Sequence, residues 1–450
     1  MKKEILCSLI VLLVLSGCST ISQKDVFGSM ESLTAERGAG ELRWIKSPDE
    51  AREIDQTVQA LLSKPLNQEN AVRICLINNR SLQQTYERIG IAQSELVQAG
   101  LLSNPLLGYS VGRGNGVTTS SVSMEFAFLE LLWVPLRREL GGFRLEEAKL
   151  GVGDEVLKMV RDTQKSYIDA RVAQEKVELY DEVVKSHEAS VQLAVRQMTA
   201  GNLSKRDFLK IKDAYSHARL ESIRLRRNSA TAREALNTMM GVYAQQTHYT
   251  LSREPLILPE QWPNHDDLER LAMENRLDIA AARKAVEYSA SDVGYTGKTR
   301  WMSALEISGE SEKTTNENRF NTLGIKIPIP LFDMGEGRLS RAQSNYNASV
   351  HRLYELAVNV RSKVREEYAK TRYAYDIAHE YQDSIVQTNR DILQETQLFY
   401  NGMLEGIYEL LYDQRRYAQI KMETVSMIGE YQKGESDLIY TIGGKNNETR

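Results

Sequence analysis

Cys18 is the residue of this chain whose setting most directly specifies a reaction. It follows Leu15-Ser16-Gly17, and upstream lie a basic start, Met1-Lys2-Lys3, and an apolar run from Ile5 to Leu15. That order is a secretory signal. Its ending, Leu15-Ser16-Gly17-Cys18, has the bacterial lipobox pattern, in which the thiol is diacylated and the Cys becomes the mature N-terminus. Ser19 rather than Asp comes next, which in lipoproteins of this kind implies sorting to the outer membrane. Each acyl CH₂ buried in lipid contributes about 0.8 kcal/mol to such an anchor. A second group with chemical potential is Glu405, Glu409 and Asp413. Their i, i+4, i+8 spacing predicts three carboxylates on one helical face.

The remaining reactive residue types point away from catalysis. With Cys7 removed with the signal and Cys18 acylated, Cys75 is the last thiol, and its neighbours Ile74, Leu76 and Ile77 predict a packed core residue. His residues stand at 187, 217, 248, 265, 351 and 379, with no pair at metal-ligand spacing. Met239-Met240 reads as core. No nucleophile motif, phosphate loop or paired catalytic carboxylates occur. The expectation is therefore no enzyme, no cofactor and no metal site. A formal charge of −4 gives no reason to expect a nucleic-acid partner. Beyond the first 17 residues no apolar run approaches the roughly 20 needed for a transmembrane helix, but amphipathic β-strands escape that test.

Proline divides the chain into the elements that must position these residues. The stretches 136–254 and 331–450 contain no Pro and are rich in Ala, Leu, Glu, Lys, Arg and Gln, the good helix formers. A helix from about Gly142 to Ala200 would be roughly 90 Å long at 1.5 Å per residue. Each stretch is interrupted once, at Gly201-Asn202-Leu203-Ser204 and at Asn401-Gly402-Met403-Leu404. Each is thus expected to be an antiparallel helical hairpin of coiled-coil character, with its turn at the tip.

The halves also repeat at an offset of roughly 200 residues. Asn79-Arg80-Ser81-Leu82 parallels Asn275-Arg276-Leu277-Asp278, Val134-Pro135-Leu136 parallels Ile329-Pro330-Leu331, and the Gly201 turn parallels the Gly402 turn. A tandem duplication is the economical reading. It gives a signal peptide at 1–17, a lipidated N-terminal segment at 18–66, and repeats at 67–260 and 261–450. Each repeat carries a strand pair before its hairpin: Leu106–Val111 with Val117–Phe128, and Trp301–Gly309 with Asn321–Ile329. Val122, Met124 and Phe126, like Leu323, Ile325 and Ile327, alternate with polar or small residues. Four amphipathic strands cannot close a barrel, and lipid does not tolerate open edges. The missing strands must come from other copies.

On these residues the sequence resembles the TolC family of outer-membrane efflux channels, especially its lipoprotein members, over about residues 67–440. The strongest signature is Ile327-Pro328-Ile329-Pro330-Leu331-Phe332-Asp333 through Gly335, Gly337 and Arg338; Leu410-Leu411-Tyr412-Asp413-Gln414-Arg415 resembles the second hairpin. The resemblance implies an α+β membrane protein. Three copies would close a 12-stranded β-barrel, and their long antiparallel hairpins would form a periplasmic α-barrel. It also implies a homotrimer docked to a periplasmic adaptor and an inner-membrane pump, serving as the exit duct for small molecules or ions. By the same resemblance, Glu405, Glu409 and Asp413 become rings at a periplasmic gate. Gly201, Asn202, Leu203, Gly402, Met403 and Leu404 become adaptor contacts. The competing readings are a periplasmic adaptor lipoprotein, which would carry one hairpin flanked by lipoyl-like β segments, and a type I secretion exit channel.

Overall fold

The computed structural model describes residues 23–114, 116–262, 267–301, 305–315 and 318–444. Cys18 and the signal segment lie outside the described residues. In order, the elements are α1 (Gln23–Ala35), α2 (Pro48–Leu62), α3 (Gln68–Asn78), α4 (Arg80–Ala99), β1 (Leu106–Gly114), β2 (Val117–Ala127), α5 (Glu130–Thr199) and α6 (Lys205–Met240). Then follow α7 (Leu268–Asn275), α8 (Leu277–Thr299), β3 (Glu306–Thr314), β4 (Phe320–Lys326), α9 (Glu336–Glu380), a π-helical segment (Tyr381–Ile385), α10 (Val386–Asn401) and α11 (Ile407–Thr441). They form two compact units, each drawing segments from both sequence repeats. No helix among the described residues is long and apolar enough to cross a membrane.

The first unit holds the four strands in one antiparallel sheet of order β1-β2-β3-β4. Residues paired directly across strands share a face. Tyr109, Val122 and Ser311 align, as do Leu107, Met124, Gly309 and Leu323, and Phe126, Ile307 and Ile325. The other face aligns Gly108, Ser123, Glu310 and Thr322, and Ser110, Ser121, Glu312 and Phe320. Ser110 and Ser121 hydroxyls meet at 3.0 Å, and the Lys326 ammonium donates to Glu125. Large apolar side chains of the first face are exposed: Leu107, Tyr109, Val122, Met124, Leu323 and Ile325.

Two strands differ from their expected spans. β3 starts at Glu306 rather than Trp301 and takes in Ser311–Thr314, expected as turn, because these residues pair with Thr119–Val122. β4 stops at Lys326 because Pro328 and Pro330 have no N–H for the ladder. Helix α5 begins at Glu130, before the expected Gly142, with Pro135 inside it. The preceding bonds run from Leu131 N–H to Phe128 O and from Leu132 N–H to Leu129 O, a tight start.

In the second unit both hairpins form as expected, α5/α6 and α10/α11. Each hairpin's far end is tied to a helix break. In the first, Asn78 Nδ2 donates to Met240 O and Gly241 O at 3.0 and 2.9 Å, and Asn79 Nδ2 to Met239 O at 2.8 Å. In the second, the Arg276 guanidinium donates to Thr441 O at 3.0 Å. Ile54, Val58, Leu66, Ile74, Ile77, Leu236 and Met240 are buried together around Tyr167. Cys75 is a free, buried thiol, and burial pushes its pKa up to about 12. It is a core residue, as its neighbours predicted.

Candidate gate at the hairpin tips

The first tip is built by a Schellman-type closure. Asn202 N–H donates to Gln197 O at 2.9 Å while Gly201 takes φ 77°, a conformation glycine adopts without a Cβ penalty. Ser204 then caps α6, its Oγ accepting from Asp207 N–H at 3.1 Å and donating to the Asp207 carboxylate at 2.7 Å. At the second tip Leu404 N–H donates to Phe399 O at 2.9 Å. Here the left-handed residue is Met403, at φ 61°, while Gly402 sits at φ −79°. Sequence reasoning put the turn on Gly402. The bond that closes the helix falls one residue later. Gly406, the N-cap of α11, supplies no side-chain bond.

Glu409 and Asp413 lie on α11, but Glu405 does not. Helix α11 starts only at Ile407, so the expected single helical face carries two carboxylates, with Glu405 on the turn that leads into it. The three still meet, lining one cleft of about 530 Å³ together with His187, Thr396, Tyr408, Tyr412 and Arg415. Glu405 and Glu409 are exposed. Asp413 is half-buried and accepts from Thr396 Oγ1 at 2.6 Å. The Tyr408 hydroxyl donates to Asp207 O at 2.5 Å, joining α11 to α6, and burial together with the Asp207 carboxylate raises its pKa.

His187 is a member of this cleft to which sequence reasoning gave no role. Only 2% exposed, it places Nδ1 2.9 Å from Val183 O. Burial, with the Arg415 guanidinium adding to it, holds its pKa below 6.5. Its i−4 carbonyl bond is local, but its cleft position depends on a hairpin more than two hundred residues away, so spacing carried no signal. Of the expected tip contacts, Met403 is 94% exposed and Leu404 is 74% exposed. Gly201 and Asn202 are exposed, and Leu203 is half-buried. Among the described residues no group of three His, Cys, Asp or Glu side chains could hold a metal ion.

A four-stranded amphipathic sheet with two free edges, combined with paired long hairpins, defines an outer-membrane channel protomer. Residues 137–242 match the model of the outer membrane efflux protein family. It is 24% identical over 306 residues to the cobalt-zinc-cadmium resistance protein CzcC of Cupriavidus metallidurans, covering 63% of this chain and 69% of that one. Its fold is similar to the Campylobacter jejuni CmeC outer membrane channel, with a TM-score of 0.72, 12% identity and coverage of 93% of each chain. CusC is similar at a TM-score of 0.69 and 15% identity, covering 87% of this chain and 92% of that one. The chain is an efflux duct of the outer membrane, not an enzyme.

Proposed function

We propose that three copies assemble into the outer-membrane exit duct of a tripartite efflux system, anchored in addition through acylated Cys18. The supporting observation is the sheet: β1 and β4 are its edges, and one of its faces is exposed and apolar. Edges of this kind are satisfied in lipid only by closure, and three sheets make twelve strands. The hairpins then form the periplasmic tunnel, and the tip residues Gly201–Leu203 and Gly402–Leu404 meet the adaptor, which engages the pump. Glu405, Glu409 and Asp413 ring the gate. Glu125, Glu306, Glu310 and Glu312 share the polar sheet face with Lys326, so that wall would favour cations as they leave. Metal ions, of the kind to which CzcC is named as conferring cobalt-zinc-cadmium resistance, are the cargo this charge pattern fits best.

The test uses paired substitutions on adjacent sheet residues. Val122→Lys, in the middle of the apolar face, should cost about 2–4 kcal/mol near the bilayer midplane. Ser121→Lys, on the polar face, should be far milder. Trimer yield in mild detergent and heat resistance of the assembly read the difference. Equal tolerance at the two positions, or a monomer throughout, would contradict the assembly.

A further inference from the structure

The apolar alternation does not end where β4 ends. Leu323, Ile325, Ile327, Ile329 and Leu331 are exposed at two-residue intervals, and Phe332 is 102% exposed. The stripe therefore runs five residues beyond Lys326, past both prolines, without ladder bonds to hold it. It then meets positive charge. Gly335, at φ 72°, is held between two arginines: a Cβ there would lie 2.6 Å from Arg300 Cβ and 3.2 Å from Arg338 Nη2. The turn that presents Phe332 is fixed by Asp333, whose Oδ1 accepts from Gly335 N–H at 2.7 Å. Arg338 lies 3.6 Å from the Asp333 carboxylate, while the Arg300 guanidinium stacks 4.5 Å over the half-exposed Trp301 ring. The Asp333 carboxylate thus faces the Arg338 guanidinium, while the Arg300 guanidinium lies over an indole ring.

The first repeat has the same order at the same place. Exposed Leu131 and Leu132 lead to Trp133, Arg137 and Arg138. A Cβ at Gly100 would lie 3.2 Å from Arg138 Cδ, and Arg137 donates to Leu101 O at 3.0 Å. In both repeats, then, an arginine on the hairpin helix lies against the end of the helix before the strand pair.

We infer that this collar, with Phe332 as its apolar finger and Arg300 and Arg338 as its charged rim, binds the headgroups of anionic glycerophospholipids at the membrane surface. The inference rests on the outer-membrane reading above. Two observations select lipid as the occupant: the apolar residues continue the lipid-facing stripe of the sheet, and Arg300 and Arg338 both lie against Gly335, three residues past Phe332 at its end. Arginine offers a planar fork that matches phosphate oxygens, and Trp favours the interface itself.

Full-length protein is compared in nanodiscs of phosphatidylcholine alone and of phosphatidylcholine with phosphatidylglycerol. Native mass spectrometry counts the retained anionic lipids, and thermal unfolding reads the stabilisation. Wild type should retain phosphatidylglycerol and melt higher with it. The double variant Arg300→Gln/Arg338→Gln should lose about five-fold retention per arginine. It should keep its melting point in neutral discs, and Arg300→Lys/Arg338→Lys should recover much of the effect. Undiminished retention in the glutamine variant would overturn the proposal. So would an equal melting shift of wild type in neutral discs on adding inorganic phosphate, which would make the site a free-anion site. Failure of wild type to enter either disc would overturn the outer-membrane reading and this proposal with it.

Discussion

Asn202 and Leu404 make equivalent bonds, each returning five residues to close a helix at 2.9 Å, yet the two hairpins around them are built differently. The first uses glycine at the left-handed position, a serine cap, and a seam with buried Tyr180, Val183, Ile211 and Ala218. The second puts an exposed methionine in the left-handed position and leaves α11 without a side-chain cap. It is also interrupted by a π-helical segment at Tyr381–Ile385, and its buried residues include Asn389 and Thr396. Asn389 Oδ1 is buried with no hydrogen-bond partner in the structure. A left-handed non-glycine residue costs roughly 1–2 kcal/mol, and a glycine N-cap in place of serine about a few tenths of a kcal/mol. These terms all make the second tip the easier one to open. It is also the tip that carries the three candidate gate carboxylates.

The comparison can be broken most readily at Gly201. Gly201→Ala should cost about 1–2 kcal/mol and raise amide exchange over residues 200–204. No change would mean that the left-handed turn does not govern local stability. Ser204→Ala should cost about 1 kcal/mol, whereas Ser204→Gly should cost only about a few tenths of a kcal/mol, since glycine is itself a favourable N-cap. Met403→Gly should run the other way, slowing exchange at residues 402–406 by about 0.5–1 kcal/mol once glycine's greater chain entropy is subtracted. If Met403→Gly loosens the tip instead, strain is not what separates the two hairpins.

The smallest expected effect is a pH response. His187 has a lowered folded pKa, so the folded cleft binds fewer protons than the unfolded chain. Its contribution is complete above pH 6.5, the ordinary histidine value, and is lost as pH falls from there toward the lowered value. The groups facing the ring in this cleft include Glu405, Glu409, Asp413, Tyr408, Tyr412 and Arg415. His187→Gln should flatten the loss of stability between pH 6.5 and the lowered value, measured by thermal unfolding across that range. An unchanged slope would show that His187 does not carry the response.

The hairpins and the strand pairs were legible because helix period, strand period and proline each act over a few residues. The stripe Val122, Met124 and Phe126 needed nothing distant to be read. What was not legible depended on which carbonyl a given N–H reaches. Gly402 has the better residue type for the turn, but Leu404 bonds to Phe399 and so leaves Met403 in the left-handed position. The same shift starts α11 at Ile407 and moves Glu405 off the helix. The π-helical segment at Tyr381–Ile385 had no sequence mark, and β3 gained Ser311–Thr314 because β2 was there to pair with them.

Conductance across a planar bilayer tests the central claim most directly. Purified wild type should open discrete, cation-preferring channels that multivalent cations block, the more weakly as monovalent salt rises and screening shortens to about 8 Å and below. Glu409→Gln removes one gate carboxylate from every copy and should reduce both the cation preference and the block. A correctly assembled protein that inserts but never conducts would contradict the duct. Conductance whose selectivity and block are unaltered in Glu409→Gln would place that carboxylate on an ordinary solvated helix face.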